Sequence, residues 1–456
     1  MSTYSIVEDE VKLKFRIAAL LSWLDGFDCT DKHEFTLRQR QQTTGDWLFK
    51  EWLYTDWRNG SIDFIWLHGK GASLTIQESR KLTGGSYSGC WKIGTCVRGS
   101  LYTSAIFPLT RRRSAIIDNI SNGLADDETL AYFYCDFRNS RCTSAMEILR
   151  SVAKQLLWNS KSDWLPSFSD LTMRMERGAR PPTDLDTLSD LLKRAAELHG
   201  RPIVFVDALD ECEDMSELLN QLVKLPHGHC RLFVTSRTLH TVKEAFTGLP
   251  SISLDEQIDE VRNDMYFHIK IELRSRSRLK TLRQDLKDEI EGALMRKADG
   301  MCVQLLVCSP RALILDFRRF RWVQCQLDRL NDCWSAGNVR EVLDTLPRTL
   351  YDTYDRMIDA IDRTEFGPRI ARRALLWLVL ALEPLKLSQL AEALSINSDE
   401  PSWDVSNAPM HGTDILDICG SLVTFDEKNR IVTLSHYSVK VCSRFLNGLL
   451  GNTRPH

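Results

Sequence analysis

The chain has 456 residues, with 59 basic and 62 acidic side chains and a net charge of -3. This balance gives no electrostatic basis for binding nucleic acid or an anionic membrane surface. The hydrophobic fraction of 43% is ordinary for globular protein, and the length suffices for about three domains. None of the 13 cysteines lies in C-x-x-C spacing, so we predict free thiols in a reducing compartment rather than zinc ligands or disulfides.

The sequence gives no sign of a targeting peptide or a membrane span. Residues 1–11 carry three acidic side chains and lack a long apolar run. The longest apolar stretch, 374–382, falls well short of the about 20 residues that a spanning helix needs, and we predict a buried helix there. We therefore expect a cytoplasmic protein that does not contact membranes.

Helical periodicity in the first sixty residues gives way to a series of short apolar strands. The predicted strands are 63–68, 130–137, 203–206, 231–236 and 251–254. Helical stretches separate them, and this alternation predicts an α/β fold: a parallel sheet with crossover helices.

The chain becomes helical after residue 255. Helices are predicted at 259–276, 282–297, 369–382 and 387–394. Two strand-like segments, 421–425 and 430–434, flank a turn and precede a last predicted helix, 436–449. Helices followed by a small hairpin and one more helix are typical of a winged-helix domain.

Three acidic residues follow the third predicted strand, in the sequence Ile203-Val-Phe-Val-Asp207-Ala-Leu-Asp210-Glu211. This pattern resembles a Walker B motif, in which the first acid serves Mg²⁺ and a later acid activates the attacking water. We assign the metal role to Asp207 and the catalytic role to Glu211 or Asp210. The alternative interpretation is a buried strand that ends in ordinary solvated acids.

The fourth predicted strand ends in Thr235-Ser236-Arg237. This segment resembles the sensor strand of such NTPases, and Arg237 suits phosphate sensing because a guanidinium stays charged and makes bidentate contacts with phosphate oxygens. By itself the same segment is also a plausible helix N-cap.

Taken together, these motifs resemble fungal NACHT-type STAND proteins with a nephrocystin 3-like N-terminal region. The similar segments are 38–42, 44–48, 66–70, 133–136, 207–211, 346–351, 387–393 and 434–440. The last of them looks like the winged-helix domain described for GPI inositol-deacylase-like proteins. The resemblance implies a P-loop NTPase that uses Mg²⁺ with ATP or GTP and whose nucleotide state changes how the winged helix packs. It also implies that His436 contacts the bound diphosphate, although Ser435 could equally cap a helix that begins there.

The phosphate-binding loop expected after the first strand is missing. Counted from Gly69, the Gly, Lys and Ser/Thr of G-x-x-x-x-G-K-[ST] fall on Leu74, Thr75 and Ile76. The only Gly-Lys pair is Gly69-Lys70, which we retain as the nucleotide-binding candidate. Residues 72–112 and 302–319 lack periodicity and read as irregular insertions from a faulty gene model, with genuine lineage-specific loops as the alternative.

These observations predict four regions. They are a helical leader (1–60), a NACHT-like nucleotide-binding domain (61–255), an all-helical lid (256–345) and a winged-helix domain (346–450). The predicted function is a signal-transduction switch whose nucleotide binding is impaired and whose hydrolysis, if any, is slow. The alternative is a non-catalytic scaffold derived from this family. Both interpretations imply protein partners, including further copies of the chain, and no nucleic-acid partner.

Overall fold

The structure is a computed structural model. It describes residues 3–30, 33–34, 45–69, 116–136, 139–160, 164–225, 228–306, 316–365, 367–381, 383–396, 409–435 and 437–440. The described residues up to Glu256 form, apart from Gly45, one compact unit, and those from Gln257 onward form a second.

The first unit is built on a five-stranded parallel sheet. Its strands are β1 (Phe64–Gly69), β2 (Glu128–Tyr134), β3 (Arg201–Asp207), β4 (Arg231–Arg237) and β5 (Ser251–Ser253). They lie in the order β2-β3-β4-β1-β5, and every pairing is parallel. The predicted α/β fold and all five predicted strands are therefore confirmed.

Helices connect and cover these strands. They are α1 (Thr3–Leu24), α2 (Trp52–Arg58), α3 (116–122), α4 (Ala145–Asn159), α5 (Ser169–Glu176), α6 (Leu185–Ala196), α7 (Met215–Leu222) and α8 (His240–Ala245). Because the sheet is covered, its central strands are continuous apolar runs rather than alternating ones. The side chains of Phe205 and Phe233 stack at 5.2 Å, and the ring of Trp57 meets Phe233 edge-on at the same distance.

The strand order reverses direction between β1 and β4. From β1 the chain crosses to β2 at the far edge, whereas from β4 it passes β1 to reach β5 on the other side. Because parallel crossovers are right-handed, connections that leave in opposite directions belong to opposite faces of a sheet, and ligands of open α/β sheets bind beyond the carboxyl ends of the two strands at such a point. Gly69 ends β1 opposite Arg237, which ends β4.

The second unit is helical with a small antiparallel sheet. Its helices are α9 (Ile258–Ser275), α10 (Gln284–Leu306), α11 (Asp316–Asn331), α12 (Ala336–Asp344), α13 (Leu350–Asp362), α14 (Gly367–Leu380), α15 (Leu387–Ala393), α16 (Asp414–Cys419) and α17 (Tyr437–Lys440). Strands β6 (Leu385–Lys386), β7 (Val423–Asp426) and β8 (Ile431–Leu434) pair in the order β6-β8-β7. The predicted hairpin is therefore present.

One apolar core runs through this second unit. Buried side chains from Met265 to Val439 belong to it, including those of Trp322 and Tyr354. Residues of the predicted lid and of the predicted winged helix thus share a core. The buried guanidinium of Arg321 on α11 donates to Ser435 Oγ at 2.7 Å and to the carbonyl of Ser421. The boundary at 345/346 remains a sequence-based prediction.

Two features differ in detail from the sequence-based expectation. Helices α10 and α11 extend into both ends of the 302–319 segment, of which only 307–315 lie outside the described residues. The 72–112 segment lies wholly outside them. Helix α14 is not fully buried, since Leu380 is 65% exposed. Among the described helices, none is long and apolar enough to cross a membrane.

Candidate functional site

The predicted site residues of the first unit converge at the carboxyl edge of the sheet. Asp207 ends β3, Arg237 ends the neighbouring β4, and Gly69 ends β1 beyond it. This arrangement follows from the parallel topology, because strands that run in one direction end at one edge. Lys70 and His436 lie outside the described residues, so their predicted contacts with nucleotide stay predictions.

Asp207 is buried and held by the adjacent strand. Its Oδ1 accepts a hydrogen bond from Thr235 Oγ1 at 2.6 Å. The same hydroxyl accepts from the backbone amide of Ala208 at 3.0 Å. The carbonyl of Asp207 also accepts from the amide of Cys135 at 3.0 Å, which ties β3 to the end of β2. Thr235 thereby fixes the orientation of the carboxylate, a role that the sequence analysis did not assign to it.

The backbone after Asp207 is strained. Ala208 has φ 56° and ψ 43°, a left-handed conformation that is uncommon for residues other than glycine. Leu209–Glu211 then form one 3-10 turn. Strained conformations of this kind cluster at functional sites, where they hold side chains in orientations that a relaxed loop would not give them. Here the turn brings Asp210 back to the end of β4.

Asp210 and Arg237 form a buried ion pair. Arg237 Nε donates to Asp210 Oδ2 at 2.5 Å, and the Arg237 amide donates to Asp210 Oδ1 at 2.9 Å. The Asp210 side chain is 0% exposed, and the Arg237 side chain is 5% exposed. Two charge-assisted bonds to one carboxylate make a strong, well-oriented contact. One of the two candidates for the water-activating acid and the predicted phosphate sensor are therefore bound to each other.

Glu211 takes a different position from Asp210. It is half-buried at the end of the 3-10 turn, and its amide donates to the carbonyl of Ala208 at 2.8 Å. As a residue it is therefore less buried than Asp210.

His68 lies one residue before Gly69 at the same edge. Its Nδ1 lies 3.0 Å from Thr238 Oγ1, and its ring stacks on Trp66 with centroids 4.0 Å apart. Burial, with a smaller contribution from the nearby cation Lys243, lowers the pKa of His68 to about 4. The imidazole is therefore neutral at pH 7. The sequence-based predictions gave His68 no role of its own, although it lies in the similar segment 66–70.

The donor set at this edge is suited to a magnesium ion that is held mainly through water and phosphate. Asp207 supplies a carboxylate and Thr235 a hydroxyl, both oxygen donors of the kind that Mg²⁺ prefers. Within the described part of the chain, no three His, Cys, Asp or Glu side chains converge as a self-sufficient metal cage.

Comparison with known protein families gives two matches. Residues 112–237 match the family described as nephrocystin 3, N-terminal. This range contains strands β2 to β4, the three acidic residues that follow β3 and Arg237. Residues 354–446 match the family described as GPI inositol-deacylase, winged helix domain. No curated protein matches the chain.

Among solved structures, one similar chain is the ORC1 protein of Aeropyrum pernix, solved in complex with DNA. The sequences are 12% identical, and the match covers 83% of this chain and 95% of that one with a TM-score of 0.26. A TM-score this low supports no inference about the present protein. The chain thus combines an α/β domain with a parallel sheet, part of which is similar to the nephrocystin 3 N-terminal region, with a segment similar to the GPI inositol-deacylase winged helix.

Proposed function

We propose that this protein is a nucleotide-dependent conformational switch of the NACHT/STAND type whose nucleotide affinity is weak. The observation that carries the proposal is the buried, oriented carboxylate of Asp207, which lies at the end of β3 and is fixed by Thr235 on β4. A preorganised acid at this edge of a parallel sheet is suited to serve a magnesium ion bound to a nucleotide. ATP and GTP are both compatible with this chemistry.

The proposed roles divide among the edge residues. Asp207 serves Mg²⁺, and Glu211 polarises the attacking water, because the carboxylate of Asp210 is already bound to Arg237. Arg237 contacts a phosphate oxygen. Gly69 and Lys70, at the end of β1, contribute to nucleotide binding. When bound, the metal supplies charge neutralisation for the phosphates.

The weak affinity follows from the missing phosphate loop. In an intact loop, backbone N–H groups cradle the phosphates while a Lys and a Ser/Thr contact phosphate and metal. Those positions are Leu74, Thr75 and Ile76 in this chain, which provide none of the side-chain contacts.

We expect Mg-ATP or Mg-GTP to raise the melting temperature by only about 1 °C at 1 mM. The expectation takes 1 mM to be close to the dissociation constant. A ligand at that concentration stabilises the folded protein by about 0.4 kcal/mol, whereas a ligand at 100 times its dissociation constant stabilises it by about 2.7 kcal/mol. At ~2–4 °C per kcal/mol, the latter is a shift of several degrees. The measurement is thermal unfolding over a range of nucleotide concentrations, with and without magnesium.

Two variants make this measurement specific. Asp207→Ala should abolish the shift, whereas Asp214→Asn, which alters an exposed acid of the same loop, should leave it unchanged. A shift of several degrees at 1 mM would show that the missing loop is dispensable. A small shift in melting temperature that persists in Asp207→Ala would contradict the assignment of Asp207 to magnesium.

Replacing residues 71–112 by a short Gly-Ser-Gly-Lys-Ser loop should strengthen Mg-nucleotide binding by about tenfold or more, or ~1.4 kcal/mol. The replacement supplies the backbone cradle, the Lys and the hydroxyl beside Asp207. In that protein Glu211→Gln should preserve binding, measured by calorimetry, while lowering phosphate release. A folded protein with no gain in affinity would contradict the assignment of Asp207 to magnesium.

A second candidate is a non-catalytic scaffold that binds proteins, including further copies of itself, in the cytoplasm. The observation that favours it is the Asp210–Arg237 pair, since the sensing cation already has an internal partner. Under this candidate neither the natural chain nor the loop replacement responds to nucleotide.

A further inference from the structure

The guanidinium of Arg237 has more hydrogen-bond donors than its described partners use. Nε donates to Asp210, but Nη2 is buried and has no hydrogen-bond partner within the described ranges. An arginine has five N–H donors in a planar fork that matches paired oxygens. A buried donor without an acceptor is costly, and such groups in a folded protein call for an explanation.

The surroundings of Arg237 favour an anionic ligand as that explanation. Arg237 ends β4 at the point where the strand order reverses, and the register places Gly69, which has no side chain, opposite it on β1. The Thr238 amide donates to the Gly69 carbonyl at 3.1 Å, so the two strand ends are held together here. A phosphate-type oxyanion offers several oxygens to one guanidinium, which suits a fork with an unused arm.

We propose that Arg237 is the receptor for the oxyanion of a polyphosphate and that Asp210 is a built-in carboxylate that occupies this receptor in the free chain. Asp210 and the ligand are then competitors for the same cation. This inference rests on the proposed function for the identity of the ligand, and it adds the competition. Asp210 acts as a positioning and autoinhibitory residue rather than as a catalytic one.

The competition follows from charge and geometry. Asp210 already uses both carboxylate oxygens on Arg237, one through Nε and one through the amide. An arriving oxyanion has to share the guanidinium with this carboxylate and is repelled by its charge, as well as by that of Asp207 on β3. Removing the charge of Asp210 removes the first repulsion and leaves the second unchanged.

The test uses magnesium-free tripolyphosphate and the full-length chain. Calorimetry should show that Asp210→Asn binds tripolyphosphate about tenfold or more tightly than the natural chain. Asp210→Asn should also melt at a lower temperature and recover when tripolyphosphate is added. The exposed-acid control Asp214→Asn should behave as the natural chain, and the double variant Asp210→Asn with Arg237→Gln should gain no affinity.

Several results would overturn this inference. Equal affinity of the natural chain and Asp210→Asn would mean that Asp210 does not compete, and a gain that persists without Arg237 would place the anion elsewhere. If Asp210→Asn does not fold, Asp210→Ser leaves more room for an anion and should fold in tripolyphosphate. Failure of Asp210→Ser under that condition would make the pair purely structural.

This outcome is separable from that of the proposed function. The switch proposal depends on magnesium and on Asp207, whereas the competition is measured without magnesium and with Asp207 intact. Suppose that Asp210→Asn gains affinity for tripolyphosphate but that the natural chain shows no Asp207-dependent response to Mg-nucleotide. The proposal for Arg237 and Asp210 would then stand, and the switch proposal would be wrong.

Discussion

Glu128→Gln is expected to lower the free energy of unfolding of the first unit by about 3–5 kcal/mol. The Glu128 side chain is 3% exposed and pairs with Arg231, which is 6% exposed, and with Arg58. Arg58 donates to its two oxygens at 2.8 and 2.9 Å, and the Ala125 amide donates at 2.9 Å. Because the glutamine is neutral, Arg231 would remain as an uncompensated buried cation.

The pH dependence of this effect has a definite sign. Burial by itself would raise the pKa of Glu128, but hydrogen bonds from Arg58, Ala125 and Arg231 outweigh it and lower the pKa to about 2 from 4.5. A lowered carboxyl pKa stabilises the fold above the unfolded value, and this contribution is lost as the pH falls through the folded value. The difference between Glu128→Gln and the natural chain should therefore narrow below about pH 4.5.

Chemical denaturation of both proteins at neutral and acidic pH measures this effect. The matched control is Glu217→Gln, which removes an exposed carboxylate on α7 and should change the stability by less than about 0.5 kcal/mol. A loss no larger than that of the control would show that the cluster contributes little. If the difference in the free energy of unfolding between Glu128→Gln and the natural chain widened at low pH, this would contradict the direction of the pKa shift.

Gly26→Ala should destabilise the first unit by about 1–3 kcal/mol or more, through overpacking. A Cβ at Gly26 would lie 2.9 Å from the Cα of Ser151 and 3.1 Å from the Arg150 carbonyl oxygen, both backbone atoms of α4. The backbone here cannot retreat easily, because Ser151 Oγ donates to the Phe27 carbonyl at 2.6 Å and Lys154 Nζ to the Gly26 carbonyl at 3.3 Å.

Gly200→Ala provides the matched control for this prediction. A Cβ at Gly200 would meet its nearest atoms at 3.8 Å, which is ordinary van der Waals contact. Thermal unfolding should therefore separate the two alanine variants by several degrees, at ~2–4 °C per kcal/mol. Similar melting temperatures would mean that the segment around Gly26 packs more loosely against α4 than these distances indicate.

The sequence was a good guide to the sheet because its strands are local and strongly apolar. The residues Ile203 to Val206 and Leu232 to Val234 are almost completely buried, and each run ends in polar residues at the edge of the sheet. Parallel topology then required Asp207 and Arg237 to share an edge. The chain order of the motifs was enough to predict the neighbourhood of the candidate site, though not its contacts.

The sequence could not predict which edge residues contact each other. Asp210 and Glu211 are adjacent acids with the same side-chain chemistry, and only the left-handed Ala208 and the 3-10 turn decide that Asp210 reaches Arg237 while Glu211 stays half-exposed. The cluster around Glu128 was missed for a similar reason. Its three side chains come from residues 58, 128 and 231, and no short motif relates positions so far apart.

By itself, then, the sequence determined the α/β class, the five strands, the hairpin of the second unit and the absence of a G-x-x-x-x-G-K-[ST] motif, because local periodicity and residue identity are sufficient for each. The tertiary structure alone decided the pairing of Asp210 with Arg237, the anchoring of Asp207 by Thr235 and the close approach at Gly26. These contacts depend on backbone dihedral angles and on strand register. Both are set by the packing of segments that lie far apart in the chain.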